Sequence, residues 1–256
     1  MEYWLDQFHI FLLVLLRVSA LLMVAPIFGH RTWLARAKVG LAFTVSIILF
    51  PIVADQPLDV PVGILPYALM MIREVLMGVV MGFVVLLLFV GIQFAGQVAG
   101  LQMGFGIVNV IDPQSSNQLS IMGQFLNILA ILLLLSLNGH HTILTGLVTS
   151  FETIPLGGVV LKAGLMQKMI AITAEVFIIG VKIAAPIMTA LFLVTAAMGV
   201  LARTVPQMNV FMVGFPVQIS VGLGAFLVCM PLFAMLVERL IITMRRDMLV
   251  MVDFMH

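Results

Sequence analysis

Charge is what this sequence has least of. Only 9% of its 256 residues are Asp, Glu, Lys or Arg and 63% are hydrophobic, whereas a soluble domain is about a quarter charged. A water-soluble globule is excluded. Twelve Lys and Arg face eleven Asp and Glu, so there is no basic excess to neutralise a phosphate backbone, and nucleic acid is not an expected partner. The single cysteine, Cys229, cannot form an internal disulfide and reads as a small buried hydrophobe. Two Trp and two Tyr are too few for aromatic belts at both faces of a membrane. H-E-x-x-H, G-x-S-x-G and Walker A runs are all missing, which takes away the signals for a zincin, a serine hydrolase and a phosphate-cradling loop. His140 and His141 follow the turn dipeptide Asn138-Gly139 without a Cys or carboxylate beside them, a poor metal set. The expectation is a protein with no catalytic residue, no cofactor and no metal.

Long uncharged runs fill the space between the few charges. They extend from Val75 to Ile111, from Pro113 to Phe151, from Ile183 to Ala202 and from Thr204 to Val237. A helix needs about 20 mostly apolar residues to cross about 30 Å of hydrocarbon. The runs predict an all-α, integral-membrane type of chain with six segments, 5–27, 38–54, 66–99, 119–138, 166–202 and 209–244. A β-barrel would need alternating apolar and polar residues, and none appears. Glu2, Asp6 and the interrupting Arg17 argue against a cleavable leader at the N-terminus. Lys and Arg give no orientation. Alternating six spans places Arg31, Arg36, Lys38 and Arg203 on one side and Lys162, Lys168, Arg239, Arg245 and Arg246 on the other.

Prolines 57, 61 and 66 mark a connection that no helix continues through. Beyond it, Gly78 and Gly82, then Gly96, Gly100 and Gly104, recur every fourth residue, a pattern that lets helix backbones approach closely. Gln93 and Gln97 share the face of Gly100 and Gly104. This face is expected to pack against another helix or a subunit. A straight helix over the whole Val75–Ile111 run would be about 55 Å long, beyond the bilayer core. A long hairpin is predicted, its tip the stretch 104–118, uncharged except for Asp112. Asp112-Pro113 suits a helix start.

Ionisable groups inside apolar segments are costly and are functional candidates. Arg17, Glu74, Glu175 and Lys182 are the four, expected to be buried. They admit two readings, structural ion pairs with neighbouring helices or subunits, and the binding groups of a secondary transporter. Methionine is abundant, with 20 residues, among them Met70, Met71, Met77, Met81, Met244, Met248, Met251 and Met255. Such side chains fill irregular gaps, or line a surface that tolerates varied partners.

Five runs carry a family resemblance: RVSALLMVAPIFGHR at 17–31, GIQFAGQVAGLQMGFGIVNVIDPQ at 91–114, LNGHHTIL at 137–144, SFETIPLG at 150–157 and the APIMTALF to QISVGL stretch at 185–223. In order and combination they resemble the FliR family, the R subunit of the bacterial flagellar type III export gate. The resemblance implies a subunit of a helical hetero-oligomer with P and Q subunits, an associated export switch protein and unfolded flagellar substrates in transit. It further implies contact with lipid at the bacterial inner membrane, within the flagellar basal body. It implies one subunit over 1–256, P-like over about 1–165 and Q-like over about 166–244, with a polar tail at 245–256. By position, the family's channel plug maps to Gly104, Phe105, Gly106, Ile107, Val110, Ile111, Asp112 and Pro113, with the glycines expected to give the loop freedom to swing. Gly96, Gly100, Gln93 and Gln97 would form a packing or subunit interface. The competing class is a secondary transporter using Glu175, Lys182 and Arg17. An intramembrane enzyme has no nucleophile and base pair to rest on.

Overall fold

The computed structural model describes residues 2–29, 34–54, 61, 63–106, 120–207 and 209–256. Every regular element among them is an α-helix. In chain order these are α1 (Glu2–Val24), α2 (Pro26–Gly29), α3 (Ala35–Val53), α4 (Ile64–Gln102), α5 (Ile121–Ser136), α6 (Gly139–Thr153), α7 (Gly164–Thr204) and α8 (Val210–Asp253). Five are long and apolar enough to cross a membrane, and α5 with α6 make a sixth if that bent pair is one span. The six predicted segments correspond to α1, α3, α4, α5, α7 and α8.

One helix was not expected. The stretch after Asn138 reads as a connection because His140, His141, Thr142, Thr145 and Gly146 interrupt its apolar pattern, yet 139–153 forms α6. Asn138 adopts the left-handed conformation, with φ 55°, and the two helices meet at a 69° bend. Asparagine is among the few residues that accept that conformation at modest cost. At the other end of α5, Ser120 Oγ accepts the amide of Gly123 at 3.4 Å and caps the helix.

The chain divides into two compact units. One comprises 1–88, 138–172 and 241–256, the other 89–137 and 173–240. In the first, α1 packs along α3 and along the start of α4, and Leu13, Val18, Leu21, Met77 and Met81 are buried. Residues 245–256, expected as a polar tail, belong to this core instead. Helix α8 runs on to Asp253, and Met248, Met251, Val252 and Met255 are buried. The last residues fold beside the loop after α6, where the amides of Val160 and Lys162 donate to the carbonyls of Met255 and Phe254 at 2.9 and 3.2 Å. Arg245 and Arg246 stay exposed on the other face of the helix, which is why the sequence reads as polar there. Buried Met70, Met77, Met81, Met244, Met248, Met251 and Met255 fill this core, so these methionines are packing groups.

In the second unit α4 and α5 form the expected hairpin. A β-carbon on Gly96 would lie 2.5 Å from the Cα of Gly123, and one on Gly100 would strike Ser120 Oγ. The hydroxyl of Ser120 donates to the Gly96 carbonyl at 3.4 Å. The two backbones touch because neither side has a side chain in the way.

Candidate functional site

Two features stand out, a buried charged network in the first unit and the hairpin tip in the second. The network starts from small residues. Glu74, Gly78 and Gly82 lie on one face of α4 at four-residue steps. A β-carbon on Gly78 would collide with the Arg17 carbonyl and come within 2.8 Å of Ala20 Cβ, and one on Gly82 would sit 2.8 Å from Val24 Cβ. This close approach of α1 carries Arg17 to Glu74. Both side chains are fully buried, and Arg17 Nε donates to Glu74 Oε2 at 2.6 Å.

The remaining donors of Arg17 are met by the end of α6. Its Nη1 donates to the Ser150 carbonyl at 3.0 Å, to Ser150 Oγ at 3.3 Å and to the Ile154 carbonyl at 3.4 Å, and Nη2 shares that last carbonyl at 3.4 Å. The Ser150 carbonyl also accepts the Ile154 amide at 3.1 Å, and the end of a helix carries partial negative charge, so a guanidinium is favoured there. The ring of Phe151 lies against the cation, 4.3 Å from Cζ to the centroid. The second carboxylate oxygen of Glu74 accepts the amide of Gly157 at 2.9 Å. Gly157 has φ +78°, and a β-carbon there would strike the end of Met70, so glycine alone suits the position.

Arg17 and Glu74 therefore meet the expectation of burial and hold each other, bridging α1, α4 and the loop after α6. Glu175 and Lys182 differ. In this single chain Glu175 is half-buried and Lys182 exposed, and among the described residues neither takes part in an ion pair. Burial of Lys182 is thus not found within the chain, since the face of α7 that carries it is left uncovered. The donors of Arg17 are engaged within the first unit, whereas Glu175 and Lys182 belong to the second. Among the described residues no three His, Cys, Asp or Glu side chains converge on a point that could hold a metal.

At the hairpin tip α4 ends in a defined stop. The amide of Phe105 donates to the Gly100 carbonyl at 3.0 Å and that of Gly104 to the Leu101 carbonyl at 3.1 Å, around Gly104 at φ +88°. These are the two bonds of a Schellman termination. Gly104 forms the corner of this stop, and a β-carbon on it would come within 2.9 Å of Phe215 on α8. Beside this corner is an open cavity that, among the described residues, is lined by Val98, Leu101, Gln102, Thr195, Phe215 and Gln218, none of them charged. Phe105 and Gly106 complete the described part of the tip and are half-buried. Ile107, Val110, Ile111, Asp112 and Pro113 lie outside the described residues. Of the packing set, Gly96 and Gly100 are buried against α5 of the same chain, and Gln93 and Gln97 flank that contact through a backbone carbonyl and a side chain beside Gly123.

Comparison with known proteins places this arrangement in a family. A profile of the bacterial export proteins, family 1, matches residues 8–244. The flagellar biosynthetic protein FliR of Bacillus subtilis is 38% identical over 238 residues, 91% of each chain. The protein of the same name from Escherichia coli is 33% identical over 93% of this chain and 91% of its own, and that of Pectobacterium carotovorum 34% identical over 90% and 88%. The runs at 17–31 and 150–157, which supply Arg17, Ser150, Ile154 and Gly157 to the buried network, both fall within the matched region. The chain belongs to family 1 of the bacterial export proteins, as a member of the FliR family.

Proposed function

We propose that this chain is a structural subunit of the flagellar type III protein export gate, at the bacterial inner membrane within the basal body. It joins P and Q subunits and the export switch protein, and with them forms a conduit for unfolded flagellar substrates. Kinship with flagellar biosynthetic proteins over nearly the whole chain carries this reading. Large apolar side chains on the outside of α7 and α8, such as Phe192 at 70% and Val228 at 81% exposed, fit a chain meant to be enclosed by other helices or lipid.

The stretch 104–118 closes the conduit in this reading. A gate that passes an extended chain without leaking ions needs uncharged, desolvated side chains at its constriction. The glycine corner at Gly104 and the cavity beside it, whose described lining is uncharged, support that role by ending α4 at the base of the loop. Deletion of residues 106–118, which leaves the Gly104 corner in place, is expected to preserve assembly and to raise small-molecule leakage through the cell membrane. Unchanged permeability with the complex assembled would remove the plug. A solute transporter would bind its solute as a lone chain or homo-oligomer, whereas the export subunit is recovered in a stoichiometric hetero-oligomer.

A further inference from the structure

The two residues that follow α4, Met103 and Gly104, are received by one face of α8. Phe215, Gln218 and Gly222 follow one another there at steps of three and four residues. A β-carbon on Gly222 would lie 2.6 Å from Cγ, 2.8 Å from Cε and 3.2 Å from Sδ of Met103, and Met103 is fully buried. Two turns earlier the fit is reversed, since the Phe215 ring lies where a β-carbon on Gly104 would come. Between the two contacts, Gln218 Oε1 is 3.6 Å from that same place, and Gln218 Nε2 donates to Thr195 Oγ1 of α7 at 3.5 Å. Large meets small twice, at adjacent residues of one strand of the hairpin.

This grip is not what pairs α4 with α5, which touch through Gly96, Gly100 and Gly123. Glycine inside a helix is costly relative to alanine, so Gly222 needs a reason, and Met103 supplies it. Two residues further on, a β-carbon on Gly224 would meet nothing within 4 Å.

The two points are not held equally. Pro216 has no amide to offer the Met212 carbonyl, so the turn that carries Phe215 is less restrained than the turn that carries Gly222. Both contacts are made by uncharged side chains. Separating them leaves no buried charge without a partner, as separating Arg17 from Glu74 would.

We propose that Phe215 and Gly222 of α8 are positioning residues for the closing stretch, clasping Gly104 and Met103 while the gate is shut, and that this clasp parts when a substrate passes. The inference rests on the reading of 104–118 as the closure and adds what holds it and what has to move.

The test uses the full chain, co-expressed with the other flagellar export proteins of its host. Cys229→Ser removes the native thiol, and Met103→Cys with Gly222→Cys places one thiol on each side of the clasp. Their β-carbons lie within about 4 Å of each other, the span of a disulfide. Diamide is expected to close the pair in the assembled complex, read as loss of maleimide labelling. Secretion of flagellar substrates should then fall at least about tenfold and return to within about twofold on reduction, with membrane permeability unchanged. Chains with either cysteine alone should ignore the oxidant. Loosening is the opposite arm. Gly222→Leu should displace Met103 and raise uptake of a small dye at least about threefold with the complex still recovered, while Gly224→Ala leaves uptake as it was. Protease resistance checks folding, and if Gly222→Leu loses it, Phe215→Ala replaces that variant with the same expected leak.

A disulfide that forms without slowing secretion overturns the inference, as does a pair that stays reduced in the assembled complex. Loss of the complex from both loosened chains, with folding intact, assigns the contact to assembly and overturns it too. If neither loosened chain leaks while the 106–118 deletion does, the clasp is removed and the closure stands. If the deletion itself does not leak, both are removed.

Discussion

The carbonyl oxygen of Arg17 occupies the place that a β-carbon on Gly78 would take. That relationship precedes the ion pair and makes it possible, because helix α1 reaches Glu74 only where α4 offers no side chain. Gly78→Leu should therefore do more than crowd a helix contact, since it separates Arg17 from Glu74 and leaves both charges buried without a partner. A loss of about 3–5 kcal/mol is expected, read as a lowered thermal midpoint of the chain in detergent. Gly40 on α3 is the control. A β-carbon there meets nothing within 4 Å, so Gly40→Ala should be neutral or stabilising, by up to about 1 kcal/mol. Equal loss from both would mean that close approach at Gly78 is not what matters.

The Arg17–Glu74 pair itself calls for a double-mutant cycle. Glu74→Gln leaves the guanidinium with the Ser150 and Ile154 carbonyls but no counter-charge, and Arg17→Met leaves a buried carboxylate with only the Gly157 amide. Each should cost about 3–5 kcal/mol, while the double variant should cost clearly less than the sum. Arg17→Lys should behave almost as badly as Arg17→Met, because the three donors of an ammonium radiate from one nitrogen and cannot span the separate positions from which Nε, Nη1 and Nη2 reach Glu74 and the two carbonyls. Additive losses in the cycle would show that the two residues act independently.

Gly157 tests the far end of the same network. Its φ of +78° and the nearby Met70 side chain both oppose a β-carbon. Gly157→Ala should lower stability by about 1–3 kcal/mol. Shortening the obstacle, in Gly157→Ala with Met70→Ala, should not recover the full loss, since the backbone penalty remains and a cavity is added. Recovery to the parent stability would mean that the left-handed conformation carries no cost here.

Much of this fold is written in the distances between charges, which is why α1, α3, α4, α5, α7 and α8 are legible and α6 is not. A short helix rich in His, Thr and Gly carries no long apolar run, and its start depends on Asn138 taking a left-handed conformation that no composition reveals. Arg17 and Glu74 stand out as expensive residues, but their pairing spans 57 positions and is set by tertiary packing. The usable signal was Glu74, Gly78 and Gly82 on one face of α4, with a charge at one end of a small-residue face. The role of 150–157 was visible only as part of a family resemblance, because backbone carbonyls of Ser150 and Ile154 do the binding. Lys182 reads as buried from sequence alone because an apolar run all around a helix does not tell its inward face from its outward one.

The α4–α5 hairpin gives the last prediction. The small-residue face of Gly96 and Gly100 is spent on α5 of the same chain, against Gly123 and Ser120. Gly100→Leu should thus damage the subunit before it damages any assembly, by driving Leu into Ser120 and prying off the cap on α5. The expected outcome is a chain that is digested faster by protease at the α4–α5 hairpin even when expressed by itself, with loss of complex as a consequence. Gly100→Ala should give the same effect at smaller size, because even one methyl group meets Ser120 Oγ. A Gly100→Leu chain as protease-resistant as the parent, but absent from the complex, would instead return this face to the subunit interface.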